Sequence, residues 1–336
     1  MLKDKIVSIQ YLRGLAAIGV VFCHYGSPLS PIFNFGQNGV FVFFLISGFI
    51  IVYSLIKSGY RPLQFFIFLL KRSIRIDPAY YVTILLTLTL FYILSLLPSF
   101  GGQFGGHAIP FIPGQFIAHL FYAVPFTKYH FYDHVFWTLC VEFQFYLVIG
   151  LLYFLYDNTF YKLAFLISFC FSCLIPFSNP YYLVFSYAPI FALGISLVTF
   201  YQKRDWINCI LPISFLIIIA FRFGLPVFVL LSFTCLIILY FNLVIKPLAF
   251  LGDISYSLYL THVLTFIVFS GLLKRLPITL NAWILLFIEI SFAITFAYIF
   301  YLLIEKPSQQ LSKRIFYKKS KGSLTQARLN LKLQAK

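Results

Sequence analysis

Two ionisable side chains lie in the first apolar segment of the chain, LRGLAAIGVVFCHY, residues 12–25. Arg13 and His24 are eleven residues apart, so on an α-helix they share one face, about 16 Å apart along the axis. Ionisable groups inside membrane segments are costly and mark functional sites. This spacing predicts a face that points into a polar cavity or at a partner helix. The alternative is that Arg13 reaches the cytoplasmic interface and His24 lies at the outer end.

A carboxylate in a second apolar segment is a candidate for the same site. Glu142 lies in WTLCVEFQFYL, and Tyr146 follows one turn later on the same helical face. A buried carboxylate without a partner is costly. We therefore expect Glu142 to pair with Arg13 or His24, or to line the same cavity.

A cationic cluster, KRSIRIDP at residues 71–78, precedes the third long apolar segment. Lys71 and Arg72 precede Arg75 by four and three residues, so one helical face presents them together. The planar guanidinium of arginine suits phosphate oxygens. The cluster is therefore either an anion-binding site or an anchor that fixes the topology.

The remaining ionisable residues in apolar segments are His262 and Glu289. His262 either forms a second polar wall of the cavity or makes a structural hydrogen bond, and for Glu289 we predict only a pairing role. The spacing of the four histidines within residues 99–136 fits no standard metal-ligand set, so we predict no metal site. All six cysteines lie in or beside apolar segments, and we expect them to be packing residues.

Composition identifies the elements that must position these side chains. The 336 residues are 61% hydrophobic and 10% charged, whereas a soluble domain has about 25% charged residues. Charges cluster between uncharged runs of roughly 20 residues, the length that spans a bilayer. We predict an all-α polytopic transmembrane bundle with about ten spans, and residues 115–126 are ambiguous between a span and a re-entrant segment. The predicted spans are 7–27, 38–56, 79–98, 137–156, 163–178, 181–200, 206–222, 225–243, 254–273 and 281–304.

The distribution of basic residues predicts the orientation. With ten spans and both termini cytoplasmic, 20 of the 25 lysines and arginines lie inside, four lie outside and one lies within the first helix. The first apolar segment then stays as a helix instead of being cleaved as a signal peptide, and residues 99–136 form an external loop. We expect a membrane domain over 1–307 and a basic cytoplasmic tail over 308–336. The net charge of +16 indicates contact with anionic lipid headgroups and requires no nucleic-acid partner.

Six motifs occur in an order that resembles the acyltransferase-3 family of integral-membrane acyltransferases. They are IQYLRGLAAIGVVFCHY (9–25), FGQNGVFVFFLISGFII (35–51), KRSIRIDPAY (71–80), FWTLCVEFQFYL (136–147), LGDISYSLYLTH (251–262) and IEKP (304–307). Many members carry Asp where Gln10 stands here. The chain is also expected to lack the extra extracytoplasmic hydrolase-like domain that some members carry.

The resemblance implies an activity and roles for individual residues. It implies transfer of an acyl group, usually acetyl, from acyl-CoA to a hydroxyl of a free or lipid-linked carbohydrate at the bacterial plasma membrane. His24 would be the catalytic base with Arg13 its companion, and Glu142, Arg72 and Arg75 would complete the site. We expect Lys71 to join the arginines in binding acyl-CoA at the cytoplasmic face. The substrate side would include His262, Trp137 and Tyr146.

Three alternatives remain open from the residues themselves. His24 either takes a proton from the acceptor hydroxyl or briefly carries the acyl group. A transporter or flippase for glycan or lipid-linked sugar could use the same polar residues to line a path. A non-catalytic membrane scaffold would leave the buried charges unexplained.

Overall fold

The computed structural model of the chain describes residues 6–96, 111–176, 180–241, 243–273 and 280–317. Within these ranges all regular structure is helical. The α-helices are α1 Val7–Gly26, α2 Gly39–Ser58, α3 Phe65–Leu96, α4 Pro113–Leu120, α5 Trp137–Leu152, α6 Thr159–Phe171, α7 Ala188–Gln202, α8 Trp206–Phe223, α9 Leu225–Tyr240, α10 Lys246–Asp253, α11 Ser255–Leu273, α12 Ala282–Phe300 and α13 Lys306–Lys313.

Eight helical segments among the described residues are long and apolar enough to cross a bilayer, and they contain α1, α2, α3, α5, α7, α8, α11 and α12. The helices α6 and α9 are shorter and apolar, and they coincide with the other two predicted spans. The prediction of an all-α polytopic bundle is therefore confirmed. The ambiguous segment 115–126 holds most of the eight-residue α4 and a 3₁₀ turn, Val124–Phe126. Neither is long enough to span a bilayer.

One predicted boundary differs substantially from the structure. The third span was expected to begin at residue 79, whereas α3 begins at Phe65 and contains the whole cationic segment as well as Pro78. The sequence predicts a helical face for the cations but places them before the span, outside the apolar run. The helix continues because its cationic face turns toward the interior of the protein, and Arg72 is only 8% exposed.

Glycines allow two pairs of helices to cross in backbone contact. A Cβ added to Gly48 of α2 would lie 2.5 Å from the carbonyl oxygen of Phe191 in α7. A Cβ added to Gly14 of α1 would lie 2.8 Å from the backbone nitrogen of Gly252 in α10. Real Cβ contacts are longer than this, so α1 can lie against α10 only while both crossing positions remain glycine. This crossing holds the segment of α1 that carries Arg13.

The C-terminal part of the described chain folds back onto α3. A π-helical turn, Tyr301–Glu305, connects α12 to α13. The Ser312 hydroxyl donates to the Lys71 carbonyl at 2.7 Å, and the Lys71 ammonium donates to the Ile315 carbonyl at 3.0 Å. The ring of Tyr317 lies 5.5 Å from that ammonium. The cationic segment of α3 is thus covered by the segment that follows α12.

Candidate active site

A cavity of about 350 Å³ lies between the helices at the end of the bundle where α1 begins and α13 ends. Its wall includes Ile6, Gln10 of α1 and Lys313 of α13 at one end, and Thr138 and Tyr259 at the other. Helices α1, α2, α3, α5 and α11 each contribute side chains to it. A space of this size accommodates part of a ligand the size of a cofactor.

Four of the cations predicted as site residues line this cavity together: Arg13, Lys71, Arg72 and Arg75. The Arg72 guanidinium lies 5.4 Å from the centre of the Phe68 ring and 5.9 Å from that of Tyr146. Its Nε has no hydrogen-bond partner among the residues that the structure describes. The aromatic rings therefore hold the guanidinium in place while part of its donor capacity stays unused.

Glu142 lines the same cavity as Arg13, which is one of the two alternatives that the sequence predicts for it. Its Oε1 accepts hydrogen bonds from the Ser47 hydroxyl and the Tyr146 hydroxyl, both at 2.6 Å. Its charge also acts on Arg13 and Arg72. The carboxylate is therefore fixed by two neutral donors and partly balances the charge of the arginines around it.

A second carboxylate, Glu305, also lines the cavity. It is 2% exposed. Its Oε2 accepts from the Ser257 backbone N–H at 3.1 Å and from the Ser257 hydroxyl at 2.5 Å. Its Oε1 accepts from the Gln309 amide at 2.8 Å. Because Glu305 closes the π-helical turn, the extra residue of that turn aims this side chain inward, and its charge acts on Arg13 and Arg75.

Sequence reasoning did not single out Glu305, although it belongs to the IEKP motif. The motif was read as the end of the last span, and a glutamate at a span boundary ordinarily faces water. The signal available in the sequence was the glutamate itself, directly before Lys306 and Pro307. The π-helical turn changes the helical face on which Glu305 lies and so brings it to the cavity. The regular spacing of an α-helix does not predict this change.

The cavity ends at a hydrogen bond between Thr138 and Tyr259, whose hydroxyl oxygens are 2.8 Å apart. His24 and His262 lie beyond this pair and do not line the cavity. The Tyr259 and His262 rings are 5.8 Å apart, centre to centre, and the His262 and His24 rings are 4.9 Å apart. The predicted residues therefore form two groups, a charged group around the cavity and a pair of histidines outside its far end.

The two histidines differ in environment. The His24 side chain is exposed at the end of α1, whereas His262 is fully buried in α11. His134, an exposed residue directly before α5, is close enough to act electrostatically on His24. The spacing predicts that the face shared by Arg13 and His24 points into a polar cavity or at a partner helix, and in the structure Arg13 lines the cavity while His24 lies next to His262 of α11.

The other predicted substrate residue, Trp137, lies in an aromatic cluster. Its ring is 4.6 Å from Tyr181, 5.5 Å from Tyr187 and 6.1 Å from Phe44, and the residue is 7% exposed. In this position Trp137 packs α5 against α2 and the segment before α7. Glu289 is buried and accepts from the Ser270 hydroxyl at 3.1 Å, which is the pairing role predicted for it.

The loop between α3 and α5 is tied together by buried polar residues. Both ring nitrogens of His119 are used, Nδ1 with the Gln115 carbonyl at 2.9 Å and Nε2 with the Tyr132 N–H at 3.1 Å, and burial lowers the pKa of His119. Asp133 accepts from the Val135 N–H at 3.1 Å, and burial raises its pKa to about 6. His119 is thus a structural residue, and His107 lies outside the described residues.

The fold and these two groups of residues define a polytopic helical membrane protein with a charged cavity at one end and a histidine pair beyond it. Comparison with known sequences then identifies the family: residues 6–302 match the family model described as an acyltransferase domain, and the chain belongs to the acyltransferase-3 family. The family predicted from the motifs is confirmed.

The chain is also similar to Nodulation protein 10 of Rhizobium leguminosarum bv. viciae, with 34% identity over 168 residues. The match covers 43% of this chain and 43% of that protein, so it spans less than half the length of this relative. No solved structure matches the chain.

Proposed function

We propose that this protein is an integral-membrane O-acyltransferase of the bacterial plasma membrane. In this proposal it moves an acyl group, acetyl in the simplest case, from acyl-CoA to a hydroxyl of a free or lipid-linked carbohydrate. The observation that carries the proposal is the cavity, because it gathers the arginines of two separate motifs at the end of the bundle opposite His24. Family membership supports acyl transfer, and the carbohydrate acceptor rests on the resemblance of the motifs.

The donor would bind with its phosphates on Arg13, Arg72 and Arg75. Guanidinium groups form paired hydrogen bonds with phosphate oxygens. The guanidinium of Arg72 is held by aromatic rings before any ligand binds. The cytoplasmic location of this end follows from the predicted orientation, and it matches the cytosolic supply of acyl-CoA. Lys71 already donates to the Ile315 carbonyl, so its contribution to donor binding would come mainly from its charge.

His24 would be the general base. It takes the proton of the acceptor hydroxyl while that oxygen attacks the thioester carbonyl, and the C–S bond then breaks. The proton on His24 passes to the departing thiolate, which restores the neutral imidazole. Arg13 lies three helical turns from His24, so we assign Arg13 to the donor and not to the imidazole. Transfer through an acyl-His24 intermediate is the covalent alternative.

The test uses inverted membrane vesicles from a producing strain, supplied with acetyl-CoA labelled in the acetyl group. We expect label in the glycan fraction with the unaltered protein and none with His24→Ala, while expression and insertion stay equal. His130→Ala is the matched control, because His130 is an exposed loop histidine, and it should retain full transfer. Equal labelling with His24→Ala would refute His24 as the base. Transport of glycan without any acylation by the unaltered protein would favour the transporter alternative.

A further inference from the structure

The buried imidazole of His262 has one ring nitrogen engaged and one free. Its Nδ1 lies 2.7 Å from the Tyr259 carbonyl oxygen, three residues earlier in α11. A carbonyl can only accept, so Nδ1 carries the hydrogen, and Nε2 of the neutral ring has a lone pair. Nε2 is buried and has no hydrogen-bond partner among the described residues. A buried acceptor without a partner is costly, so this nitrogen requires an explanation.

The ring of His24 in α1 lies next to the His262 imidazole. The ring centres are 4.9 Å apart, with 52° between the planes. No hydrogen bond fixes the His24 imidazole in the part of the chain that the structure describes. A hydrogen bond between the two rings would satisfy the free nitrogen of His262 and fix the exposed His24 side chain at the same time.

Adjacent contacts hold the two helices in register at this point. The hydroxyl of Tyr25, the residue after His24, donates to the His262 carbonyl oxygen at 2.6 Å. The same hydroxyl lies 2.9 Å from the Thr265 hydroxyl. These contacts tie the end of α1 to the middle of α11. The distance between the two imidazoles is therefore set by buried hydrogen bonds and not by the imidazoles themselves.

We propose that His262 is the positioning residue for His24: its Nε2 accepts the N–H of one His24 ring nitrogen and leaves the lone pair of the other free to take the acceptor proton. This inference rests on the proposed function. A fixed tautomer and ring orientation is what a carboxylate supplies to histidine in hydrolase triads. A neutral imidazole supplies the same acceptor without placing an anion in the membrane.

The proton balance is complete within the pair. During attack the His24 lone pair takes the hydroxyl proton, and His24 becomes imidazolium with both nitrogens protonated. One N–H continues to donate to the neutral His262, while the other N–H gives its proton to the thiolate of the departing coenzyme. His262 keeps its single hydrogen on Nδ1 throughout. Among the other ionisable groups in the described region, His134 acts electrostatically on His24, and Asp133 and Glu142 act on Tyr259, whose ring lies 5.8 Å from that of His262.

Two substitutions at His262 separate this role from a structural one. The amide of Asn can replace Nδ1 and keep the bond to the Tyr259 carbonyl, but it has no atom at the Nε2 position. The longer Gln side chain can place an amide oxygen near that position and accept from His24. We expect His262→Asn to lower kcat about 10- to 100-fold, the effect of losing a hydrogen bond to a group that becomes charged. We expect His262→Gln to recover most of that loss.

The Michaelis constant for acetyl-CoA should stay unchanged in both variants, since neither histidine lines the donor cavity. A kcat for His262→Asn within about 2-fold of the unaltered protein, or equal losses for Asn and Gln, would overturn the proposal. If His262→Asn fails to fold, Tyr25→Phe tests the same geometry, because it frees the end of α1 without touching either imidazole. We expect it to lower kcat several-fold at constant KM, and full activity would count against the pair.

The outcome also separates this inference from the function on which it rests. If the unaltered protein transfers no acetyl group, the proposed function fails. If transfer occurs and requires His24 but does not change in His262→Asn, the acyltransferase stands and only the positioning role fails.

Discussion

Replacing Arg72 by lysine tests the donor site most directly, because it changes geometry and keeps the charge. The Arg72 side chain is 8% exposed and packs against the rings of Phe68 and Tyr146. Lysine is a compact point charge that cannot offer two parallel N–H groups to a phosphate. The substitution therefore removes the paired hydrogen bond and weakens the stacking, while the net charge of the cavity stays the same.

The expected magnitude follows from these two contacts. A hydrogen bond to a charged group contributes about 1.5–3 kcal/mol, and a cation–π contact contributes about 0.5–2 kcal/mol, of which lysine keeps a part. A net loss of about 2–3 kcal/mol raises KM for acetyl-CoA by about 30- to 160-fold. The lost contact is made to a part of the donor that does not react, so kcat should change by less than about 3-fold.

The assay is initial-rate transfer of labelled acetyl groups over a range of acetyl-CoA concentrations, with thermal unfolding in detergent to verify folding. Lys203→Gln is the control, because Lys203 is an exposed cation on the same predicted side and does not line the cavity. We expect its KM to stay within about 2-fold of the original. The reasoning is refuted if Arg72→Lys is well folded and shows an unchanged KM, or if only kcat falls.

Two further predictions concern stability. The pKa of Asp133 is raised to about 6 by burial, so the folded state favours the protonated acid, and its stabilising contribution is lost as pH rises from about 4 to about 6. Asp133→Asn keeps the acceptor for the Val135 N–H and cannot ionise. At pH 7.5 the variant should therefore be more stable than the original protein by at most about 3 kcal/mol and unfold at a higher temperature, whereas at pH 4 the two proteins should unfold at the same temperature. Equal unfolding temperatures of the two proteins at pH 7.5 as well would contradict this. In Gly252→Ala the new Cβ would collide with the Gln10 backbone, so we expect the free energy of unfolding to fall by about 1–3 kcal/mol. The loss is measured as a lower unfolding temperature. Gly19→Ala is the control, because its Cβ meets its nearest neighbour at 3.7 Å, and it should be close to neutral.

Much of the fold could be predicted from the sequence because apolar runs and charge clusters report directly on membrane spans. The bounds of α11 and α12 differ from the predicted spans by a few residues at most. The start of α3 could not be predicted in this way. Hydropathy assumes that a charge faces water or a headgroup, whereas the cations of α3 face a cavity that exists only after several helices assemble.

The candidate site was predictable to a similar extent. Ionisable residues in apolar segments are few, so Arg13, Glu142 and His24 stood out by their type alone, and Arg72 stood out as part of a cationic cluster. Their division into a cavity group and an outer histidine pair depends on how α1 crosses α11, and no spacing within one helix contains that information. Glu305 was missed for a related reason, since a π-helical turn changes which face of the chain a residue occupies.

The first helix also has a consequence for the choice of donor. The helix places Arg13 in the cavity wall and His24 near the other end of the helix, beyond the cavity. Its α-helical geometry fixes the separation of the two residues at about 16 Å along the axis. The length of the helix thus sets the distance between the cavity cations and His24. A donor that rests its anionic group on the cavity cations and presents its acyl carbon to His24 must carry an extended arm between the two. Under the proposed function, a compact donor such as an acyl phosphate can reach the cavity cations or His24 but not both at once. The rigid length of α1 therefore selects a long thioester without contacting its acyl group.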